Sequence, residues 1–330
     1  MGNITHLENR GFIAAIIFSA LLAGCGDDNK GEYSSLPVFE RAVTSAIDSD
    51  TLQPARLKFF NDTLFVSYVG DSRIDLFTPD LERIKTIDLL DPEPVFPTTF
   101  DISDSSIFLT DHAKHIMAVY DRDGSFLDSF GTLPDGKTTL SPFALAYFGG
   151  VLYVSDIHLG KVLAVSMVNV SELTEIGELI LTIPSDSART IKFPSAIMIT
   201  FDGRLLAGDA GTGEVNVFTC DGRYIYSFED AETAKMMAPM GFAMDNIVDP
   251  SMQDSLSFDP SGIRKFGRYH VVDANNGAVH MYNPLGRYIA SYPTDKSLVK
   301  PSDIAIDRKN GKIFIADPQS KQILIYRYKG

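Results

Sequence analysis

IFIADPQSKQILIY (residues 313–326) decides the fold, because five other stretches of the chain repeat its pattern. They are LFVSYVGDSRIDLF (64–77), IFLTDHAKHIMAVY (107–120), LYVSDIHLGKVLAV (152–165), LLAGDAGTGEVNVF (205–218) and YHVVDANNGAVHMY (269–282), and all six align without a gap. Each reads as an apolar strand, a turn usually opened by Asp, and a second apolar strand. The β-branched and aromatic residues in them suit a pleated, buried surface.

Proline precedes each pair, at Pro54, Pro97, Pro142, Pro194, Pro239 and Pro301. A strand's first residue tolerates the missing N–H. Pro54, Pro97 and Pro142 each stand fourteen residues before the turn position (Tyr68, Asp111, Asp156). The separation from Pro239 to Asp273 is far longer and marks an insertion. After the pair comes a turn with Gly four residues past the aromatic, as in Asp123-Gly124, Asp221-Gly222 and Leu285-Gly286. A last alternating strand follows, such as YIYSF (224–228) or YIASY (288–292). Four short antiparallel strands in a unit of about 45 residues describe a propeller blade. One such sheet cannot bury both faces alone, so the units must stack radially. The expected fold is all-β: a six-bladed β-propeller of four-stranded antiparallel blades.

The final unit stops at Gly330, four residues past Tyr326, which leaves it three strands and an unpaired edge. PVFERAVT (37–44) precedes the first unit and has no other partner. It is predicted to supply the missing strand and close the ring.

The start of the chain reads as an address. GFIAAIIFSALLAG (11–24) is apolar but shorter than the roughly 20 residues a membrane span needs. It fits the apolar region of a secretory signal. Leu22-Ala23-Gly24-Cys25 resembles the lipobox of bacterial lipoproteins, and a polar tether, GDDNKGEYSS (26–35), follows. The alternative is an ordinary signal, or a core helix that happens to end in Cys. The lipobox reading divides the chain into a lipoprotein signal peptide (1–24), a lipidated Cys25 with its tether (25–36) and the propeller (37–330). Gly26, where inner-membrane retention uses Asp, implies by the same resemblance an outer-membrane lipoprotein of the cell envelope. The other cysteine, Cys220, leaves the mature domain no internal disulfide and reads as structural filler before the Asp221-Gly222 turn.

Composition excludes some partners. The 330-residue chain carries a formal net charge of −14, which argues against a nucleic-acid phosphate backbone. It has no Trp, which disfavours WD-repeat and kelch propellers. The order proline, apolar strand, V-x-D, polar turn, apolar strand ending in an aromatic, then D-G resembles the NHL repeat. The resemblance covers about residues 54–330 and implies a six-bladed propeller of the TolB-like class. Unit one departs from it with Tyr68 in place of the Asp, and only fragments of the family's Asn-His-Arg turn remain, such as Ser72-Arg73 and Lys114-His115. With no zinc-binding Cys/His module and no basic face, neither the ubiquitin-ligase role of some members nor RNA binding is implied.

Strand direction alternates, so the turns opened by Asp111, Asp156, Asp209, Asp273 and Asp317 share one face with the blade-to-blade links. A ring of carboxylates there is a candidate binding face for a cation or polyol. The alternative, favoured by the regular recurrence, is that each Asp bonds its own turn's backbone N–H groups. His112, His115 and His158, beside Asp111 and Asp156 in adjacent units, form the candidate set for a divalent or transition metal. No other cofactor is expected. His270 and His280 read as packing or surface residues. Two insertions, 166–177 and 252–266, emerge on the opposite face, where long loops on a rigid scaffold tend to carry function. The expected function is therefore a non-enzymatic, envelope-anchored binding scaffold. It would hold a protein, peptide or glycan through a loop face and touch the membrane only by its lipid. The alternative is a metal-dependent hydrolase or lyase like the gluconolactonase-type or amidoglycolate-lyase-type propellers.

Overall fold

The computed structural model describes residues 36–43, 53–133, 137–167, 179–187, 189–230, 235–245, 267–295 and 297–328. The chain opens with β1 (Val38–Val43) and then builds blade 1 from β2 (Pro54–Phe60), β3 (Thr63–Tyr68), β4 (Arg73–Phe77) and β5 (Arg83–Asp88). Blade 2 is β6 (Thr99–Ile102), β7 (Ser106–Asp111), β8 (Ile116–Asp121) and β9 (Phe126–Phe130). Blade 3 is β10 (Pro142–Phe148), β11 (Val151–Asp156), β12 (Lys161–Ser166) and β13 (Leu179–Ile183). Blade 4 is β14 (Pro194–Ile199), β15 (Leu205–Asp209), β16 (Glu214–Phe218) and β17 (Tyr224–Ser227). Blade 5 is β18 (Pro239–Met244), β19 (Tyr269–Asp273), β20 (Ala278–Tyr282) and β21 (Tyr288–Tyr292). Blade 6 is β22 (Asp303–Asp307), β23 (Lys312–Asp317) and β24 (Gln322–Arg327).

Each of the first five sheets runs in chain order from inner to outer strand, and the sixth runs β22–β23–β24–β1. β1 pairs antiparallel with β24, from Val38 opposite Arg327 to Val43 opposite Ile323. The first strand thus completes the last blade, as its spare apolar pattern predicts. Phe39 meets Tyr326 edge to face at 5.5 Å, and Glu40 accepts from Arg327 Nε at 2.9 Å. The inner strands β2, β6, β10, β14, β18 and β22 touch one another in that order and back to β2, so the ring is closed.

The apolar side chains that alternate along the repeats fill the spaces between blades. A buried cluster lies at every junction: blades 1 and 2, 2 and 3, 3 and 4, 4 and 5, 5 and 6, and 6 and 1. The aromatics that end the third strand, Phe77, Tyr120, Phe218, Tyr282 and Tyr326, are all buried within them. Burying one such side chain is worth about 1.5–3 kcal/mol. Among the described residues no helix is long and apolar enough to cross a membrane. Cys220 is exposed, not packed filler, because its strand has already ended at Phe218 and the turn turns it outward.

Candidate functional site

The five repeated aspartates are buried and occupied. Asp111 accepts Lys114 N at 3.0 Å through Oδ1, and through Oδ2 it accepts Phe96 N at 2.9 Å from the link entering its own blade. Asp156 accepts His158 N, Leu159 N and Ser141 N. Asp209 accepts Gly211 N, Phe193 N and Lys192 N, each at 2.9 Å. Asp273 and Asp317 repeat the pattern toward Met237 and Ala238, and toward Val299 and Lys300. Each carboxylate is therefore a clasp between the turn it opens and the link that feeds the inner strand. For Asp273, burial alone would raise the pKa. Donors from His280, Met237, Ala238 and Asn276 outweigh it and hold the carboxyl below its ordinary value. In blade 1, Tyr68 replaces the Asp and donates to buried Asp75 at 2.8 Å.

The turn needs a left-handed corner four residues after the Asp. Gly213 supplies it in blade 4, with φ of 74°, where a Cβ would stand 2.1 Å from Met236 O. His115 fills the same corner in blade 2, with φ of 58°. That position aims its ring at the backbone: Nδ1 lies 3.1 Å from Leu140 O. His112 and His115 are neighbours, with ring centroids 5.8 Å apart, and His112 also meets Phe143. His158 joins this pair in no ligand set. Among the described residues, no group of three or more His, Cys, Asp or Glu side chains is arranged to hold a metal.

The central channel is a cavity of about 590 Å³ lined by the six inner strands. Its wall is divided by chemistry. Blades 6, 1 and 2 contribute Asp303, Asp307, Arg308, Lys309, Arg56, Lys58, Asp62, Thr99 and Asp101. Blades 3, 4 and 5 contribute chiefly Ala144, Ala146, Ala196, Met198, Met240 and Phe242, with Phe201 at the rim. The charged residues follow from strands that alternate charge with apolar packing, as Arg56-Leu57-Lys58-Phe59 does. Leu57 and Phe59 pack into the junction with blade 6, which leaves the basic residues for the lumen.

Arg56 closes the link-face end. It donates to Thr98 O at 2.9 Å, Met240 O at 2.6 Å and Ser302 O at 3.0 Å, and so ties blades 5, 6, 1 and 2 across the axis. It also borders a shallower cavity of about 320 Å³ on the link face, so it separates the two. Burial pushes its guanidinium below its ordinary pKa, against the pull of Asp303. Asp303 beside it accepts Leu57 N and Ile304 N, both at 2.9 Å. Burial raises its carboxyl to about 6, with Arg56 opposing. Gly241 makes room for it: a Cβ there would stand 2.5 Å from Asp303 Oδ1. Above this floor Lys58 pairs with Asp101 at 2.5 Å, and Lys309 with Asp62 at 3.3 Å at the mouth.

A buried polar network lies under the mouth between blades 5 and 6. Asp245 accepts Arg268 Nε at 2.9 Å and Tyr328 Oη at 2.9 Å, and it meets His270 Nε2 at 3.1 Å. His270 Nδ1 faces Tyr292 Oη at 2.8 Å. Burial alone would raise the Asp245 pKa, but hydrogen bonds and charge from His270 and Arg268 outweigh it and bring it to about 2. His270 is displaced the other way, downward, by burial. His280 is buried as well, between Ser291 Oγ at 2.6 Å and Asp273 at 3.3 Å. Both histidines are therefore hydrogen-bonded core residues. Period-two alternation assigns a residue to a face of its sheet and is blind to the polar partner waiting there. The channel charges did carry a signal: Arg56, Lys58, Asp101 and Asp303 all stand shortly after the repeat's proline, at the start of an inner strand. Both insertions lie outside the described residues, apart from Ser166 and Met167, and so does Cys25.

With the geometry in view, the class is a six-bladed propeller with a channel closed at one end. Solved structures of like fold include the selenomethionine-substituted virginiamycin B lyase from Staphylococcus aureus. It is 13% identical, with a TM-score of 0.54, and the match covers 84% of this chain and 81% of that one. A streptogramin B lyase structure matches at 12% identity and TM-score 0.58, over 88% of this chain and 98% of that one. A structural genomics protein of unknown function from Bacteroides thetaiotaomicron matches at 17% identity and TM-score 0.59, over 86% of this chain and 71% of that one. At these identities the likeness is one of fold. No protein-family model matches the chain, and no curated protein matches it in sequence.

Proposed function

We infer that this chain is a binding propeller of NHL-like repeats, held at the bacterial cell envelope by a lipid on Cys25. Its working surface is the channel mouth, which receives a segment of a peptide, protein or glycan partner. The observation that supports this is the lumen itself: closed below by Arg56, open above among the described residues, with one charged and one apolar half. A wall of that kind orients whatever enters, since the polar groups fix direction and the apolar side supplies contact area. The strand ends that flank the two insertions, Ser166 and Leu179 in blade 3 and Met244 and Tyr269 in blade 5, also lie at the mouth end of their sheets. The outer membrane, the signal peptide and the tether belong to the same reading and rest on the sequence at residues 1–36.

The test is to fill the lumen. Met198→Trp combined with Met240→Trp should abolish ligand-induced thermal stabilisation across a panel of peptides, oligosaccharides and small amphiphiles. Val299→Trp, on the link face, should leave it intact. A ligand at a hundred times its dissociation constant adds about 2.7 kcal/mol, a readable shift. Stabilisation that persists in the filled variant would place recognition elsewhere and end this reading.

A second reading has its own support. Asp303, with a pKa of about 6 beside Arg56, is the kind of carboxyl that serves as an acid or base near neutral pH. Two of the fold neighbours are described as lyases. Fold does not confer activity, so this stands second. Turnover lost in Asp303→Asn with binding retained would move it to first place.

A further inference from the structure

We propose that the channel selects an apolar molecule bearing a single carboxylate, with Arg308 as the group that reads the carboxylate. This rests on the binding reading above and names the ligand class.

Most of the charge that lines the channel is already matched. Lys58 is matched to Asp101, and Lys309 to Asp62. Asp307 is occupied by Lys309 N, Asn310 N and Asn310 Nδ2. Arg56 is spent on three carbonyl oxygens and Asp303 on two backbone N–H groups. Arg308 is different. Among the described residues it donates through Nε alone, to Met244 O at 2.8 Å. Its Cζ lies over the Phe201 ring, 4.3 Å from the centroid. The cation–π contact and the Nε bond restrain the group, and among the described residues neither Nη makes a hydrogen bond, which leaves both for a ligand. Two free Nη groups on one planar fork suit the two oxygens of a carboxylate.

Position completes the case. Arg308 sits at the end of the charged half of the wall, while Phe201 marks the rim of the apolar half. A carboxylate on Arg308 therefore leaves the rest of its molecule against Met198, Met240, Phe242 and the alanines of blades 3 and 4. The cavity of about 590 Å³ falls within the range of roughly 300–1,000 Å³ usual for small-molecule sites. Among the described lining residues a cation finds no equivalent, because Asp62, Asp101, Asp303 and Asp307 each already have a donor. Asp245, the buried carboxylate that draws on Arg308 from below, is held by Arg268 and Tyr328.

Two sources share this chemistry, a fatty acid and the free C-terminus of an apolar peptide. Titration calorimetry on the full chain would use decanoate against decanol, and N-acetyl-Leu-Phe acid against its amide. At least one acid should bind tenfold or more tightly than its neutral counterpart, and the better acid identifies the source. Arg308→Ala should remove that preference while leaving the neutral compounds' affinity unchanged. Arg308→Lys should restore part of it. Because Arg308 is exposed, unchanged near-ultraviolet circular dichroism should accompany both variants. Equal affinity for acid and neutral partner, or an acid preference that survives Arg308→Ala, overturns the proposal. If the acids fail but other ligands bind in the open lumen and not in the filled one, the ligand class falls and the binding reading stands. If lumen filling changes nothing, both fall.

Discussion

Asp209→Ala measures what the repeated aspartate does. The side chain is fully buried and accepts three backbone N–H groups, from Lys192, Phe193 and Gly211. Gly211 lies in an exposed turn, where water can replace the carboxylate, so its share is small. The other two amides belong to the link against which the turn is folded. A hydrogen bond to a charged group contributes about 1.5–3 kcal/mol, and an orphaned buried donor costs about 1–3 kcal/mol. The two link amides together give about 3–5 kcal/mol. With an unfolding entropy of about 2.1 cal/mol/K per residue, each kcal/mol moves the midpoint of a propeller this large by about 1.5–2 °C, so Tm should fall by about 5–10 °C. Asp209→Asn keeps one acceptor oxygen and should fall by roughly half as much. Asp221→Ala, an exposed turn aspartate, serves as the control and should shift Tm by no more than a degree or two. Differential scanning fluorimetry at pH 7, with and without a chelator, gives the answer. A clasp predicts a large loss in Asp209→Ala and no effect of chelator on the wild type. A near-normal Tm for Asp209→Ala, or a wild-type Tm that drops on chelation and recovers with calcium or zinc, would refute the clasp and restore the carboxylate ring as a cation site.

Asp303 sets a pH dependence of the opposite sense to most carboxylates. Its folded pKa of about 6 lies above its unfolded value near 4, so the folded state holds the proton more tightly. Its contribution is complete below about pH 4 and is lost as pH rises to about 6. Two pKa units set a ceiling of about 3 kcal/mol, which water in the channel reduces to about 1–2 kcal/mol. Asp303→Asn should therefore lose less stability than wild type between pH 4.5 and 7, and parallel curves would contradict this. Deleting residues 37–43 strips β1 from β24 and bares an apolar edge, so size-exclusion chromatography should show aggregate in place of monomer. A well-behaved monomer would mean that the ring does not depend on that closure.

The sequence by itself determined the number of blades, their strand order, and the strand that joins the first residues of the domain to the last blade. It could do so because these properties live in short-range pattern. Period two sets strand faces, proline and Asp-Gly punctuate the strands, and a gapless repeat such as residues 205–218 against 313–326 demands like structure from like sequence. It also favoured the backbone role for Asp111, Asp156, Asp209, Asp273 and Asp317, but only the half that bonds the local turn. The other half reaches some fifteen or more residues back, to the link amides of Phe96 or Lys192. Tertiary structure alone decided the channel. Arg56, Met240 and Ser302 come from three blades and meet at the axis, and the Asp245–His270–Tyr328 network is drawn from blade 5 and the residue after β24. Contacts of that kind depend on the closing angle of the whole ring, and no local period in the chain encodes it.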